Sequence, residues 1–264
     1  MENNQNYLIE AKFMKRRDVI TFIIILAAIT SFILFKYYAK VPLSLQHASL
    51  FDAVWAGNMQ EVNYYIAQGN SLKKNEEHRI PPLNAAVYLE HFEIAKALLE
   101  KGANVHEMED ESGWTALHEA AAKNRIDFAQ LLVEFGVDVN ATAHANTERG
   151  FNDFGDTPLI VAACNGHLEM VKFLVDHGAN INKSDNNGIT PLHGAVNNDC
   201  LEVVKYLLSQ KAEVNSWDCR GQERPLNSAQ DNNNKEIIAL LTSAGAIAEE
   251  RISWLDIPLE ETTT

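Results

Sequence analysis

Cysteine is scarce in this sequence: Cys164, Cys200 and Cys219 are the only three in 264 residues. Three scattered thiols exclude a disulfide framework and a cysteine-built metal centre, and an odd count leaves at least one of them free. Basic side chains are also in deficit, with 22 Lys and Arg against 36 Asp and Glu, and the deficit is uneven along the chain. Residues 1–40 hold six basic residues (Lys12, Lys15, Arg16, Arg17, Lys36, Lys40) and three acidic ones, so the remainder of the chain carries 16 basic and 33 acidic side chains, a formal charge of −17. A surface of that sign repels nucleic acid, whose binding rests on neutralising phosphates with Lys and Arg. It favours a protein partner with a basic surface. Motifs of enzyme chemistry are missing as well: there is no HExxH, no Gly-rich phosphate loop and no GxSxG elbow. No nucleophile, base and orienter can be nominated together, so the sequence calls for no catalytic residue, no cofactor and no metal. Core-forming material, at 46% hydrophobic residues, is not lacking, and the chain is too apolar to be mostly disordered.

One long uncharged run stands out, VITFIIILAAITSFILF from Val19 to Phe35. As a helix rising ~1.5 Å per residue it would span about 25 Å, and Tyr37 and Tyr38 extend it towards an interface belt. A cleaved signal peptide is the competing reading, but its apolar stretch is usually ~7–15 residues and is followed by small residues at the cut. This run is longer and ends in Lys36, Tyr37, Tyr38. A buried soluble helix is the third possibility. The expectation is a transmembrane signal-anchor helix over 19–38, after a cytoplasmic segment 1–18 and before a linker 39–48. Four basic residues precede the run and two follow it, which predicts a cytoplasmic N-terminus. The rest of the chain then lies outside a cytoplasmic membrane, in the periplasm of a bacterium or in a lumen or the exterior of a eukaryote. Two sequons, at Asn140 and Asn182, fall at repeat positions described next and are read as accidental.

Five segments align on a leucine: PPLNAAV at 81–87, TALHEAA at 115–121, TPLIVAA at 157–163, TPLHGAV at 190–196 and RPLNSAQ at 224–230. The steps from Leu83 to Leu117, from Leu159 to Leu192 and from Leu192 to Leu226 agree to within one position, and a fixed step of that size marks a stack of small structural units. A second marker keeps the same period: Gly69-Asn70, Gly102-Ala103-Asn104, Gly136-Val137-Asp138, Gly178-Ala179-Asn180, Lys211-Ala212-Glu213 and Gly245-Ala246. Together these resemble the ankyrin family, whose repeats of about 33 residues carry a T-P-L-H-x-A signature. The resemblance covers roughly Ser49 to Ile247. It implies an all-α ankyrin-repeat solenoid of helix-turn-helix repeats with hairpin fingers, here preceded by one transmembrane helix. Six repeats are expected, at 49–79, 80–111, 112–154, 155–186, 187–220 and 221–247, followed by a tail 248–264 in which Ile252, Trp254, Leu255 and Ile257 could seal the last repeat.

Local chemistry agrees with that register. Thr157-Pro158 opens a helix with Pro in the first turn, where its missing N–H has no intrahelical role, and Asn165-Gly166 breaks it. Leu168, Val171 and Leu174 then form the apolar stripe of a second helix. Gly178 ends it in a left-handed position, and Lys211 at the matching place in the next unit predicts a strained or altered helix end there. Small residues on the first helices, among them Ala86, Ala120, Ala162, Ala195 and Ala229, allow close stacking, so the stack itself is the core. The resemblance gives His118 and His193 a structural role, with rings that hydrogen-bond backbone and tie repeats together; His91 and His167 occupy a common position at the start of second helices.

By the same resemblance, the hairpin fingers and the concave first helices form the usual binding face. Candidate partner-binding residues are Glu109, Asp110 and Glu111, crowded in HEMEDESG at 106–113, with Trp114 beside them and Trp217 in SWDCRGQ at 216–222. An acidic anchor for a basic partner competes with an ordinary solvated loop, and an exposed Trp with one that covers its own hairpin. The period breaks once, since the step from Leu117 to Leu159 overruns it by eight or nine positions and the extra length falls in ATAHANTERGFNDFGD at 141–156. Insertions in repeat proteins map to loops on one face, often the binding face, and Phe151 and Phe154 in this one are costly to leave in water. The sequence therefore points to a membrane-tethered protein-binding module, as an inhibitor or immunity protein against a basic toxin or enzyme, or alternatively as a scaffold supporting an envelope or antioxidant enzyme.

Overall fold

A computed structural model of the chain describes residues 45–74, 77–144, 155–218 and 223–247. Among these residues, twelve helices alternate short and long along the chain. They are α1 (Leu50–Trp55), α2 (Met59–Ala67), α3 (Pro82–Tyr88), α4 (Phe92–Glu100), α5 (Ala116–Ala122), α6 (Ile126–Glu134), α7 (Pro158–Cys164), α8 (Leu168–Asp176), α9 (Pro191–Asn197), α10 (Leu201–Ser209), α11 (Pro225–Asp231) and α12 (Lys235–Ser243). Each short helix turns back against the long one that follows it, and each pair stacks on the next. Extended structure among the described residues is limited to an isolated antiparallel bridge between Asp218 and Glu223.

The short helices start where the sequence supplies an acceptor and a fixed φ. Thr157 and Thr190 accept from the backbone N–H of Ile160 and His193, and Pro158 and Pro191 follow them in the first turn. A seven-residue helix is too short to stand alone in water, so packing must hold it. The leucine markers Leu83, Leu117, Leu159, Leu192 and Leu226 are all buried, as is Leu50 in α1. At one recurring place in every short helix the residue is a fully buried alanine (Ala53, Ala86, Ala120, Ala162, Ala195, Ala229), a small side chain that lets neighbouring helices pack closely. The nine-residue long helices contribute Tyr65, Leu98, Leu132, Leu174, Leu207 and Leu241 at one recurring place, and all these side chains join a single core. Neighbouring short helices approach each other more closely than neighbouring long ones do. The stack therefore curves, with the short helices on its inner side.

Left-handed residues make the turns. Lys211 sits at φ +64 where Gly178 sits at φ +89 in the preceding unit, so a side chain occupies the conformation that the sequence marks as strained. Asparagines knit the outer ends. Asn140 donates to the carbonyl of Gly178 at 3.0 Å and accepts from the N–H of Asn180 at 2.7 Å. Asn182 accepts from Glu213 N–H at 2.9 Å, and Asn215 accepts from Ile247 N–H at 2.9 Å. Both sequon asparagines thus have structural work. Cys164 is a packing group: burial pushes its thiol up to about 12, and its sulfur lies where a Cβ on Gly194 would come within 2.6 Å.

Between pairs the chain makes five fingers, and the last four are each closed at the base by a backbone hydrogen bond: Glu109 to Trp114, Ala143 to Asp156, Asp185 to Ile189 and Asp218 to Glu223. The insertion hangs from the second of these, so its base is that of an ordinary finger. No helix among the described residues is long and apolar enough to cross a membrane. The span expected over 19–38, the tail 248–264 and the loop residues 145–154 lie outside the described residues.

Candidate protein-binding face

The inner face and the fingers are positioned by buried polar contacts that cross from repeat to repeat. His118 in α5 accepts from Thr115 N–H at 3.1 Å through Nδ1, which leaves Nε2–H to donate to the carbonyl of Asp156 at 3.0 Å. A neutral ring satisfies both contacts, and full burial lowers its pKa to about 4. Asn84, at the same place in α3, donates to the carbonyl of Trp114 at 2.9 Å. His193 repeats the contact with Thr190, and His167 meets the carbonyl of Ala122 at 2.9 Å. These histidines are fixtures of the stack. No group of three or more His, Cys, Asp or Glu among the described residues is placed to hold a metal ion.

The acidic finger is less bare than its sequence suggests. Asp110 pairs with Lys74 at 2.6 Å and Glu111 with Arg79 at 3.2 Å, both cations coming from the preceding finger. Glu109 accepts from Ser112 Oγ at 2.7 Å, and burial holds its carboxyl above the ordinary range. Asp110 and Glu111 therefore join two fingers, while the Glu109 carboxylate ties its own finger together. Trp114 is half-buried against the core and near His118, with ring centroids 6.0 Å apart, so it covers its own hairpin. Trp217 remains 43% exposed, with the Arg224 guanidinium 5.2 Å from its ring. Phe151 and Phe154 lie outside the described residues.

Sequence reasoning missed an aromatic row on the inner face of the first two repeats. Phe51 and Trp55 in α1 stack at 5.7 Å, Trp55 and Tyr88 of α3 stack at 6.3 Å, and His78 lies on Phe51 at 4.1 Å. Trp55 is 45% and Tyr88 47% exposed. Lys123 places its ammonium 4.5 Å from the Tyr88 ring. Phe51, Asp52, Trp55 and His78 line an open groove of about 640 Å³ whose rim includes Glu77, Arg79, Glu109 and Glu111. Its signal was present in the sequence: Trp55 and Tyr88 stand at the same place in consecutive repeats, where later repeats carry Ala122, Cys164, Asn197 and Asp231.

Stacked helix pairs, projecting fingers and a curved inner face of short helices define a helical-repeat solenoid. The family of ankyrin repeats (3 copies) matches residues 50–143, 143–218 and 187–252. The chain belongs to the ankyrin-repeat family, whose members are generally non-catalytic interaction modules. It is similar to an ankyrin repeat-containing protein of Treponema pallidum (strain Nichols), 32% identical over 136 residues that make up 52% of this chain and 43% of that one. It is 32% identical over 108 residues to human protein phosphatase 1 regulatory subunit 27, covering 40% of this chain and 64% of that one. Human 2-5A-dependent ribonuclease matches at 39% over 85 residues, 32% of this chain and 10% of the ribonuclease. The chain thus spans less than two thirds of the length of each of these relatives.

Proposed function

We propose that the chain is a membrane-tethered module that captures a protein with a basic surface, using its fingers and inner face, and so inhibits that protein or confers immunity to it. The tether is the helix at 19–38, with the N-terminus in the cytoplasm and the repeats on the outer side of the membrane. The observation that carries the reading is the inner face itself, where exposed aromatic rings sit among carboxylates. Rings of that kind are favoured anchors in interfaces, and carboxylates around them select for a basic partner and speed its approach. The charge of −17 beyond residue 40 acts in the same sense. A regulatory subunit among the similar proteins is consistent with control by stoichiometric binding.

Chemical cross-linking of the full chain in its native membrane, followed by mass spectrometry, tests the capture. A single basic protein recovered in a fixed ratio, released by salt and losing activity when bound, is the expected result. Recovery of acidic proteins or of nucleic acid overturns it. A reporter active only outside the cytoplasm, fused after Thr264, should be active; silence of that fusion beside an active cytoplasmic reporter would reverse the orientation, which rests on the basic excess before Val19.

A further inference from the structure

We propose that the groove formed by the first two repeats is a receptor for one arginine side chain, presented by an exposed basic loop of the partner protein. The proposal rests on the capture reading above and adds the place and chemistry of its anchor. Three features favour this occupant. The rings of His78, Phe51, Trp55 and Tyr88 follow one another nearly parallel, with interplanar angles of 11°, 25° and 24°, and so offer flat faces on which a planar guanidinium stacks. Carboxylates stand beside those faces: Asp52 is next to Phe51 on α1, and Glu77 and Glu111 lie on the rim, so a guanidinium over Trp55 has fork-like acceptors within the same groove. Cations of the chain itself already use the same chemistry, with Arg79 against Glu111 in the groove at 3.2 Å and Lys123 at 4.5 Å over Tyr88, which continues the aromatic row beyond the groove lining.

Charge alone does not choose arginine over lysine, but stacking does. A compact ammonium is more strongly hydrated and meets carboxylates as a point charge, whereas a guanidinium satisfies ring and carboxylate together. An anionic or neutral apolar group finds four carboxylates lining the groove, set against the guanidinium of Arg79 there and the ammonium of Lys123 at the Tyr88 end of the row. The groove therefore selects by sign and by shape.

The test uses the full chain in detergent micelles and the fluorescein-labelled peptide Gly-Arg-Gly-Arg-Gly, read by fluorescence anisotropy at physiological ionic strength. The arginine peptide should bind several-fold more tightly than its lysine counterpart, and a citrulline counterpart, which keeps the shape and loses the charge, should fail to bind. Trp55→Ala should weaken binding about tenfold, Trp55→Phe should restore part of it, and Phe135→Ala, which removes an exposed ring at the end of α6 outside the groove, should change nothing. Trp55 is 45% exposed and its buried part stacks on Phe51 and Tyr88, so Trp55→Ala should melt somewhat below the parent but in the same cooperative transition, which separates a lost anchor from a lost fold. Equal affinity of parent and Trp55→Ala, or of arginine and citrulline peptides, overturns the proposal. So does a large gain in peptide affinity on replacing Lys12, Lys15, Arg16 and Arg17 with Gln, since the chain's own N-terminal segment would then be the occupant. If the peptide results fail while cross-linking still recovers a basic partner, the groove assignment falls and the capture reading stands.

Discussion

Replacing Glu119 with glutamine should convert a pH-dependent penalty in the third repeat into a pH-independent contact. Glu119 lies buried on α5, and its carboxyl is pushed up to about 7, first by burial and then by Glu109, with Lys123 acting in the opposite sense. Between 4.5 and about 7 the folded chain keeps a proton that the unfolded chain releases. The stability associated with this group is thus fully present below pH 4.5 and is lost as pH rises towards 7. At about 1.4 kcal/mol per pH unit, the ceiling is roughly 3 kcal/mol. The neighbouring His118 works the other way. Its pKa is lowered from 6.5 to about 4, so its contribution is present above 6.5 and is lost as pH falls towards 4. His193 is lowered too and adds to this second trend. In the parent chain the opposing trends partly cancel, and only differences between variants separate them. Urea melts followed by far-UV circular dichroism should show Glu119→Gln gaining on the parent by about 2–3 kcal/mol between pH 4.5 and pH 8. His118→Asn, which installs the residue found at Asn84 and Asn227, should lose ground to the parent as pH rises over the same window. A constant difference between Glu119→Gln and the parent from pH 4.5 to 8 would refute the burial argument.

Three further outcomes are expected. Leu192→Ala removes a fully buried side chain from α9 and should cost about 2–5 kcal/mol in the same melts, through lost burial and a cavity. Lys211→Gly should stabilise by roughly 0.5–1 kcal/mol, because glycine occupies φ +64 without strain; a loss of stability would show that the lysine side chain has a compensating contact. Deleting residues 145–152 leaves the closing bond between Ala143 and Asp156 in place, so stability should stay within about 1 kcal/mol while affinity for the captured partner falls about tenfold. Unchanged affinity in that variant would assign recognition to the inner face alone.

The repeat register was legible because six copies of one environment impose one pattern. A leucine, an alanine and a left-handed turn recur at a fixed interval, and even the departure at Lys211 marked a real turn at positive φ. The candidate site was legible only in part. Counting Glu109, Asp110 and Glu111 found the acidic finger but not the Lys74 and Arg79 that face it, since those cations lie about one period earlier in sequence and meet the carboxylates only when the repeats stack. Trp114 looked like an exposed tip because a residue next to a finger in sequence can still turn inwards; its carbonyl closes the hairpin and its ring reaches the core. The aromatic row was overlooked for the converse reason. Trp55 and Tyr88 look unremarkable within their own repeats and form a surface only across two.

The groove in the first two repeats and the base of the long finger, after the third, stand about two repeat steps apart. With helices stacked about 8–10 Å apart, that distance is roughly 20 Å. A partner that engages both is held bivalently, so each contact can be modest while their combination is tight. The separation also makes a sharp demand on a double variant. Contacts that far apart and without shared partners should contribute additively, within about 0.5 kcal/mol. Trp55→Ala combined with deletion of 145–152 should therefore weaken capture by close to the product of the two single effects, about a hundredfold in all. A combined loss no greater than either single loss would mean that both changes remove one and the same contact, and the partner would then have to bridge from the first helix to the third finger through a single anchoring element.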